Sequence, residues 1–160
     1  VHVPGHTPWC MMMYDATSQL AFTGDFLIKD ISSNAVVQRP ESVAGPYKSL
    51  KSYIASLRKV RDLGLRQAFP GHGRPVTNVQ GWIQDILLFI ETRKNQILAV
   101  VTNRADCSPY QVMKVLFPDL CNWQILLGIS EVIGHLELLE EDGMIERSRG
   151  QERLLFSRCF

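Results

Sequence analysis

The spacing of hydrophobic positions changes from short runs to a helical repeat at residue 47. Before that point, apolar residues lie in short runs separated by turn-forming residues, a pattern typical of β-strands. From residue 47 to 60 they recur every three or four positions, which predicts an amphipathic helix that ends at Gly64. The predicted strands span residues 1–3, 9–14, 19–22 and 65–69, and the second and third should form a hairpin.

The remainder of the chain is predicted to be mainly helical. A long helix at residues 79–103 has Thr77 or Asn78 as a candidate N-cap, and a short helix begins at Ser108-Pro109. Two helices followed by a β-hairpin predict a winged-helix domain at residues 107–160, after a first domain at residues 1–106. The later elements and the one long loop are predicted at residues 123–141 (helix), 144–147 and 153–156 (strands) and 29–46 (loop).

Composition excludes a disordered or membrane-spanning chain. Of the 160 residues, 46% are hydrophobic and 21% are charged, which suffices for one ordinary domain or two small ones. No apolar run approaches the roughly 20 residues needed to cross a bilayer. The four cysteines are scattered and no secretory signal is recognisable, which predicts free thiols and a cytoplasmic location.

Three short segments place a His or an Asp in the turn after a predicted strand. They are Pro-Gly-His-Thr-Pro at 4–8, Thr-Gly-Asp at 23–25 and Pro-Gly-His-Gly at 70–73. Glycine permits a sharp turn and a close approach of the backbone to a ligand. Imidazole nitrogens and carboxylate oxygens are ligands for zinc, iron or manganese, and one Asp can bridge two cations. Each motif alone is typical of an ordinary turn. The combination predicts a metal site.

The order of these motifs resembles the second half of the metallo-β-lactamase superfamily. The long helix after the third motif and the pattern from His135 to Gly143 resemble the branch with a C-terminal winged helix, which includes lactamase-β-like hydrolases and some ribonucleases. The resemblance covers essentially the whole chain. It implies an α+β fold class, in which the C-terminal half of an αββα metallo-β-lactamase sandwich is followed by a winged-helix domain.

The resemblance also implies a site with two divalent metal ions, zinc by first expectation and iron or manganese otherwise. His6 would complete the ligands of the first metal, Asp25 would bridge both metals and be the catalytic residue of this chain, and His72 would bind the second. The H-x-H-x-D-H motif that supplies the other ligands in the family is absent from the sequence. Because the chain also starts within a predicted strand, we expect it to be a fragment that is inactive alone.

The activity implied is hydrolysis of an ester, a thioester or a phosphodiester by metal-activated water. Two alternatives remain open: a metal-dependent endoribonuclease acting on single-stranded RNA, and a non-catalytic winged-helix interaction module. Thr7, Thr23 and Arg74 are candidates for orienting the His rings through hydrogen bonds.

Four other features could suggest metal ligands but favour structural roles. Positions four apart on a strand are separated by about 13 Å, so His2 is predicted to be a strand residue rather than a partner of His6. Cys10 is predicted to be a buried thiol and residues 11–13, all Met, a core strand. His135 is predicted to pack within, or on the surface of, its helix.

The net charges of the two predicted domains indicate which partners each could bind. Residues 107–160 contain five basic and eight acidic residues, a net charge of −3, and the helix that would enter a DNA groove carries Glu137, Glu140 and Glu141. Although Arg147, Arg149 and Arg153 make the wing locally basic, we predict a substrate-shaping lid or a dimerisation element rather than a reader of duplex DNA. Residues 1–106 have a net charge of +4, which is compatible with a negatively charged substrate such as single-stranded RNA. A homodimer is a further expectation.

Overall fold

The computed structural model describes residues 1–30, 33, 35–38, 47–104, 106–149 and 154–159. Much of the loop predicted at 29–46 and the tip of the predicted wing, including Arg153, lie outside the described residues. The chain divides into two compact units, residues 1–89 and residues 90–160, which are treated separately below. The predicted mixed α+β fold is confirmed.

The first unit contains a three-stranded sheet with the order β1-β2-β3. Strand β1 (Met13–Asp15) pairs antiparallel with β2 (Leu20–Gly24), as the predicted hairpin requires. Helix α1 (Ser49–Arg61) then connects β2 to β3 (Gln67–Pro70), which pairs parallel with β2. This connection brings the carboxyl ends of β2 and β3 to one edge of the sheet.

The predicted first strand is reduced to a short antiparallel bridge. The amide of Val3 donates to the carbonyl of Cys10 at 2.8 Å, and His2 pairs with Met11. The pairing ends there because Pro4 has no backbone N–H and the chain turns at Gly5. The segment therefore leads directly from the bridge into the turn that contains His6.

The two faces of the sheet differ in burial. Met12 and Ala21 are buried, as are the α1 residues Tyr53 and Leu57. The residues that alternate with the buried ones are instead open to solvent: Met11 is 70% exposed, Met13 71% and Phe22 59%. The prediction that residues 11–13 form a core strand is therefore wrong for two of the three methionines, because strand residues alternate between faces and only one face is covered.

Helix α2 (Val79–Thr102) begins in the first unit, and its N-terminus is capped by Asn78, whose side-chain oxygen accepts from the Gly81 amide at 3.1 Å. The second unit contains the end of α2, helices α3 (Pro109–Leu116) and α4 (Gln124–Glu141), and the antiparallel strands β4 (Ile145–Arg149) and β5 (Leu154–Arg158).

The core of the second unit joins its helices to its hairpin. Cys107 and Phe156 exchange two backbone hydrogen bonds of 2.9 and 3.0 Å, which adds an isolated bridge beside β5. Ser108 caps α3 through a capping box with Gln111. The fully buried core residues are Ile97, Val112, Met113, Val132, Leu136 and Leu139.

Three other predictions concern the domain boundary, membrane-spanning helices and the cysteines. The packing divides within α2, whereas the sequence predicts a domain boundary after residue 106; which segments fold independently stays a prediction. Within the described ranges, no helix is long and apolar enough to cross a membrane. All four cysteines are free thiols, and Cys10 is half-buried rather than buried as predicted.

Candidate metal centre

Sheet topology brings the three predicted ligands to one edge. Asp25 directly follows β2, and His72 lies two residues beyond β3, so the parallel pairing places both at the carboxyl ends of adjacent strands. Residues 1–3 run antiparallel to 10–12, which lead into β1, and therefore run parallel to β2. The turn that carries His6 is consequently at the same edge.

The side chains of these residues meet at the carboxylate of Asp25. Its Oδ2 lies 3.9 Å from Nε2 of His6, and its Oδ1 lies 3.5 Å from Nε2 of His72. All three side chains remain partly exposed. The carboxylate thus stands between two imidazoles and presents a different oxygen to each, in a position open to solvent.

Two glycines allow this close approach. A Cβ on Gly71 would lie 2.9 Å from Oδ1 of Asp25, so any larger residue would displace the carboxylate. A Cβ on Gly5 would lie 2.5 Å from the Cβ of Tyr53, and its φ of +153° is itself unfavourable for other residues. The Pro-Gly-His pattern therefore reflects tight packing on both sides of the site.

Helix α1 braces two of the three turns. The Tyr53 hydroxyl donates to the carbonyl of Phe26 at 3.1 Å, next to Asp25, and Ser56 Oγ donates to the carbonyl of Pro4 at 2.7 Å, near His6. Burial raises the pKa of the Tyr53 phenol above its ordinary value. Sequence reasoning treated Tyr53 only as a core residue, since its helical spacing is that of any buried aromatic residue.

The three candidates for orienting the His rings have other partners in the structure. Thr7 Oγ1 lies 3.2 Å from Cys10 Sγ, and Arg74 forms an ion pair with Asp30. The buried hydroxyl of Thr23 donates to the carbonyl of Leu27 at 3.1 Å and so fixes the turn that contains Asp25. These contacts support the turns around the predicted ligands, and a role of the three residues in orienting the rings of His6 and His72 stays a prediction.

The donor set can be compared with the dimensions of a zinc site. Two ligands of one zinc ion lie at most about 4.0–4.3 Å apart, the sum of two bond lengths. The His6–Asp25 and His72–Asp25 distances are both below this limit. No group of three or more His, Cys, Asp or Glu within the described ranges is arranged to hold one ion. The residues fit two positions with two ligands each, and neither position is completed by another of the described residues.

The remaining candidates lie outside this cluster. His2 pairs with Met11 through its backbone, and its Nε2 is 2.8 Å from the carbonyl oxygen of Pro8. His135 is buried in α4, with Nδ1 2.7 Å from the carbonyl oxygen of Glu131. These positions agree with the structural roles predicted for both histidines.

The fold is similar to that of a solved metallo-β-lactamase family protein. The crystal structure of a metallo-β-lactamase family protein from Thermus thermophilus matches 99% of this chain and 48% of that chain, with a TM-score of 0.83 and 24% sequence identity. Because the identity is low, this match shows the fold. No family model matches the chain.

Curated relatives agree with this fold. "Probable metallo-hydrolase YqjP" of Bacillus subtilis is 30% identical over 145 residues, which are 91% of this chain and 45% of that protein. "Atrochrysone carboxyl ACP thioesterase" of Aspergillus fumigatus is 28% identical over 103 residues, covering 64% of this chain and 29% of that protein. Relatives and structures together support the metallo-β-lactamase superfamily for this chain, which spans less than half the length of the relatives named.

Proposed function

We propose that the chain supplies one side of the active site of a metal-dependent hydrolase. Asp25 carries this proposal, because its two carboxylate oxygens face two different imidazoles at distances compatible with metal ligation. A carboxylate so placed would bridge two cations, with His6 as a ligand of one and His72 as a ligand of the other. Zinc suits this mixed N and O donor set, and iron or manganese would also be accepted.

Each residue would have a defined task in the reaction. When bound, two divalent cations would supply a water molecule of lowered pKa and polarise the substrate oxygen. The negative charge of Asp25 would hold the two positions in register, and His6 and His72 would each contribute a ring nitrogen. The partial exposure of all three side chains leaves room for a substrate.

We further propose that the other ligands come from a part of the protein outside this chain. Three observations support this: the sequence has no H-x-H-x-D-H motif, each candidate position has only two ligands among the described residues, and the relatives are about twice as long. The exposed apolar face with Met13 and Phe22 would then be covered by a facing sheet. The 160-residue chain alone would be inactive.

The substrate is proposed to be a small ester or thioester. The relative named as an acyl carrier protein thioesterase favours this class. An endoribonuclease acting on single-stranded RNA is the second candidate, favoured by the net charge of +4 on residues 1–106.

Residues 107–160, within the second unit, are proposed to form a winged-helix domain. Helices α3 and α4, the β4–β5 hairpin and the Cys107 bridge support this architecture. The net charge of −3 on residues 107–160 disfavours duplex DNA, so we propose a role in shaping the substrate site or in forming a homodimer. If no hydrolysis is found, a non-catalytic interaction module becomes the better description.

The test uses the full-length protein, assayed with an ester, a thioester and single-stranded RNA. We expect thioester or ester hydrolysis that falls more than about a hundredfold on chelation and in Asp25→Asn. The matched control Asp62→Asn removes an exposed carboxylate that follows α1 and should retain activity. Cleavage of RNA alone would favour the second candidate. Equal hydrolysis by Asp25→Asn and the wild type would contradict the assignment of Asp25.

A further inference from the structure

Two positively charged side chains converge beside the candidate metal centre. Arg74 follows His72 by two residues, and its Nη2 lies 2.5 Å from Oδ2 of Asp30. Lys29 follows Asp25 by four residues, and its Nζ lies 4.0 Å from Oδ1 of the same carboxylate. Asp30 therefore brings together one cation from each of the two turns that carry predicted ligands.

Further contacts hold Lys29 in place. The Lys29 ammonium lies 4.3 Å from the ring centroid of Trp82, a distance typical of a cation–π interaction. The indole N–H of Trp82 donates to the carbonyl of Ile28 at 2.8 Å, which fixes the ring against the same segment. Asp30 has a left-handed backbone conformation, with φ of +67°, so its side chain extends from a tight bend of the chain.

The charges of this group do not cancel. The side chains of Lys29, Asp30 and Arg74 together carry a net charge of +1. Arg74 is also 77% exposed, and only one of its nitrogens has a partner within the described ranges. A guanidinium has five N–H donors in a planar fork that matches the oxygens of a carboxylate or a phosphate.

We propose that Lys29 and Arg74 bind a negatively charged group of the substrate, a carboxylate or a phosphate, next to the hydrolysed bond. That the bound anion belongs to a substrate rests on the proposed hydrolase function. Binding of an anion by these residues requires no metal. Arg74 contacts the anion, Lys29 adds a second charge, and Asp30 is a positioning residue that holds the two cations together. An exposed ion pair contributes little to folding, so stability alone gives no reason for this convergence.

The first experiment isolates the anion site from the metal centre. The chelator-treated 160-residue chain is titrated with inorganic phosphate at constant ionic strength and about pH 8, above the ordinary pKa of imidazole, and backbone amide shifts are followed by NMR. We expect saturable shifts at residues 29–30 and 73–74. Arg74→Gln and Lys29→Gln should each weaken phosphate binding about fivefold, and Arg74→Lys should weaken it less.

Arg66→Gln is the matched control, because Arg66 is exposed and lies at the opposite end of β3 from Arg74. This variant should bind phosphate like the wild type. Shifts that do not saturate, or equal affinities in Arg74→Gln and Arg66→Gln, would overturn the proposal whether or not the protein is a hydrolase.

The second experiment tests the role in substrate choice. Full-length protein is assayed with two esters that differ only in a carboxylate and the corresponding carboxamide. Arg74→Gln should raise KM about fivefold for the anionic ester and leave the neutral one unchanged. An equal change for both esters would contradict anion recognition. If neither ester is hydrolysed, the proposed function fails and the phosphate titration alone decides.

Discussion

The backbone amide of Gly71 donates a hydrogen bond of 2.9 Å to the carbonyl of Gly24. Gly24 precedes Asp25 and Gly71 precedes His72, so this bond fixes the separation of two predicted ligands. It lies where the parallel pairing of β2 and β3 ends in an irregular register. The geometry of the candidate centre thus depends on backbone contacts and on the absence of a side chain at residue 71.

The first prediction concerns Gly71→Ala. A Cβ would lie 2.9 Å from Oδ1 of Asp25 and should push the carboxylate away from His72. We expect metal affinity of the full-length protein to fall about tenfold or more, measured by competition with a chromogenic chelator. The control Gly64→Ala strains a left-handed residue in open space, so it should cost about 1 kcal/mol of stability without weakening metal binding. Unchanged affinity in Gly71→Ala would count against this packing.

The second prediction concerns the alkaline stability of the first unit. Because burial raises the pKa of Tyr53, the folded chain keeps the phenolic proton at a pH where the unfolded chain loses it. Stability should therefore be full below about pH 10 and decline above it, by at most about 1.4 kcal/mol per pH unit. Tyr53→Phe should flatten this decline and cost about 1 kcal/mol at neutral pH, since the Phe26 carbonyl loses its donor.

Urea denaturation between neutral pH and about pH 11 measures both effects of Tyr53→Phe. Tyr110→Phe is the control, because Tyr110 is exposed in the second unit. A decline of the same slope in wild type and Tyr53→Phe would exclude Tyr53 as its source.

The third prediction concerns acid stability in the second unit. Burial lowers the pKa of His135, and the nearby Arg93 and Lys94 act in the same direction, whereas the carbonyl of Glu131 opposes them. The unfolded chain therefore takes up a proton at a higher pH than the folded chain. Stability should fall as pH drops through about 6.5, by up to about 1.4 kcal/mol per unit.

His135→Gln should remove this loss while keeping a polar group near the Glu131 carbonyl. The measurement is the difference in unfolding free energy between about pH 7.5 and 5.5, compared between wild type and variant. Burial raises the pKa of the Glu131 carboxyl, which adds a contribution of opposite sign, but this contribution is common to both proteins. An identical pH dependence in the two would refute the role of His135.

The fourth prediction concerns the exposed face of the three-stranded sheet. The chain alone should self-associate with rising concentration, since Met13 and Phe22 leave apolar surface uncovered. Sedimentation velocity should show a shift toward monomer in the double variant Met13→Thr, Phe22→Thr. Leu126→Thr removes a comparably exposed apolar residue from α4 and should have less effect. A monomeric wild-type chain at all concentrations would contradict the prediction.

Sequence patterns predicted the positions of the helices better than they predicted which strand residues are buried. The helical repeat located α1, α2 and α4 with ends within three residues, because amphipathic spacing and terminal residues such as Asn78 are local signals. The predicted burial was wrong for Met11 and Met13, since alternation shows which residues share a face but not whether another layer covers that face.

In the candidate site, too, local motifs were predicted from the sequence but contacts between distant residues were not. Three motifs with a His or an Asp in the turn after a strand predicted a shared site, and the structure brings His6, Asp25 and His72 together because the parallel strands end at one edge. Their role as metal ligands stays a prediction. Tyr53 binds the carbonyl of Phe26, which is 27 positions away, and Arg74 pairs with Asp30, which is 44 positions away. Phe26 and Asp30 belong to none of the three motifs, so no sequence signal indicated these contacts.

The most direct test of the central claim is elemental analysis of metal bound to the full-length protein and its variants. If Asp25 bridges two cations, the wild type should hold about two metal ions, His6→Ala and His72→Ala should each lose about one, and Asp25→Asn should weaken both. His2→Ala, which alters a bridge residue outside the cluster, should keep the wild-type content. Retention of two metal ions per chain in His6→Ala, Asp25→Asn and His72→Ala would contradict the assignment of all three residues.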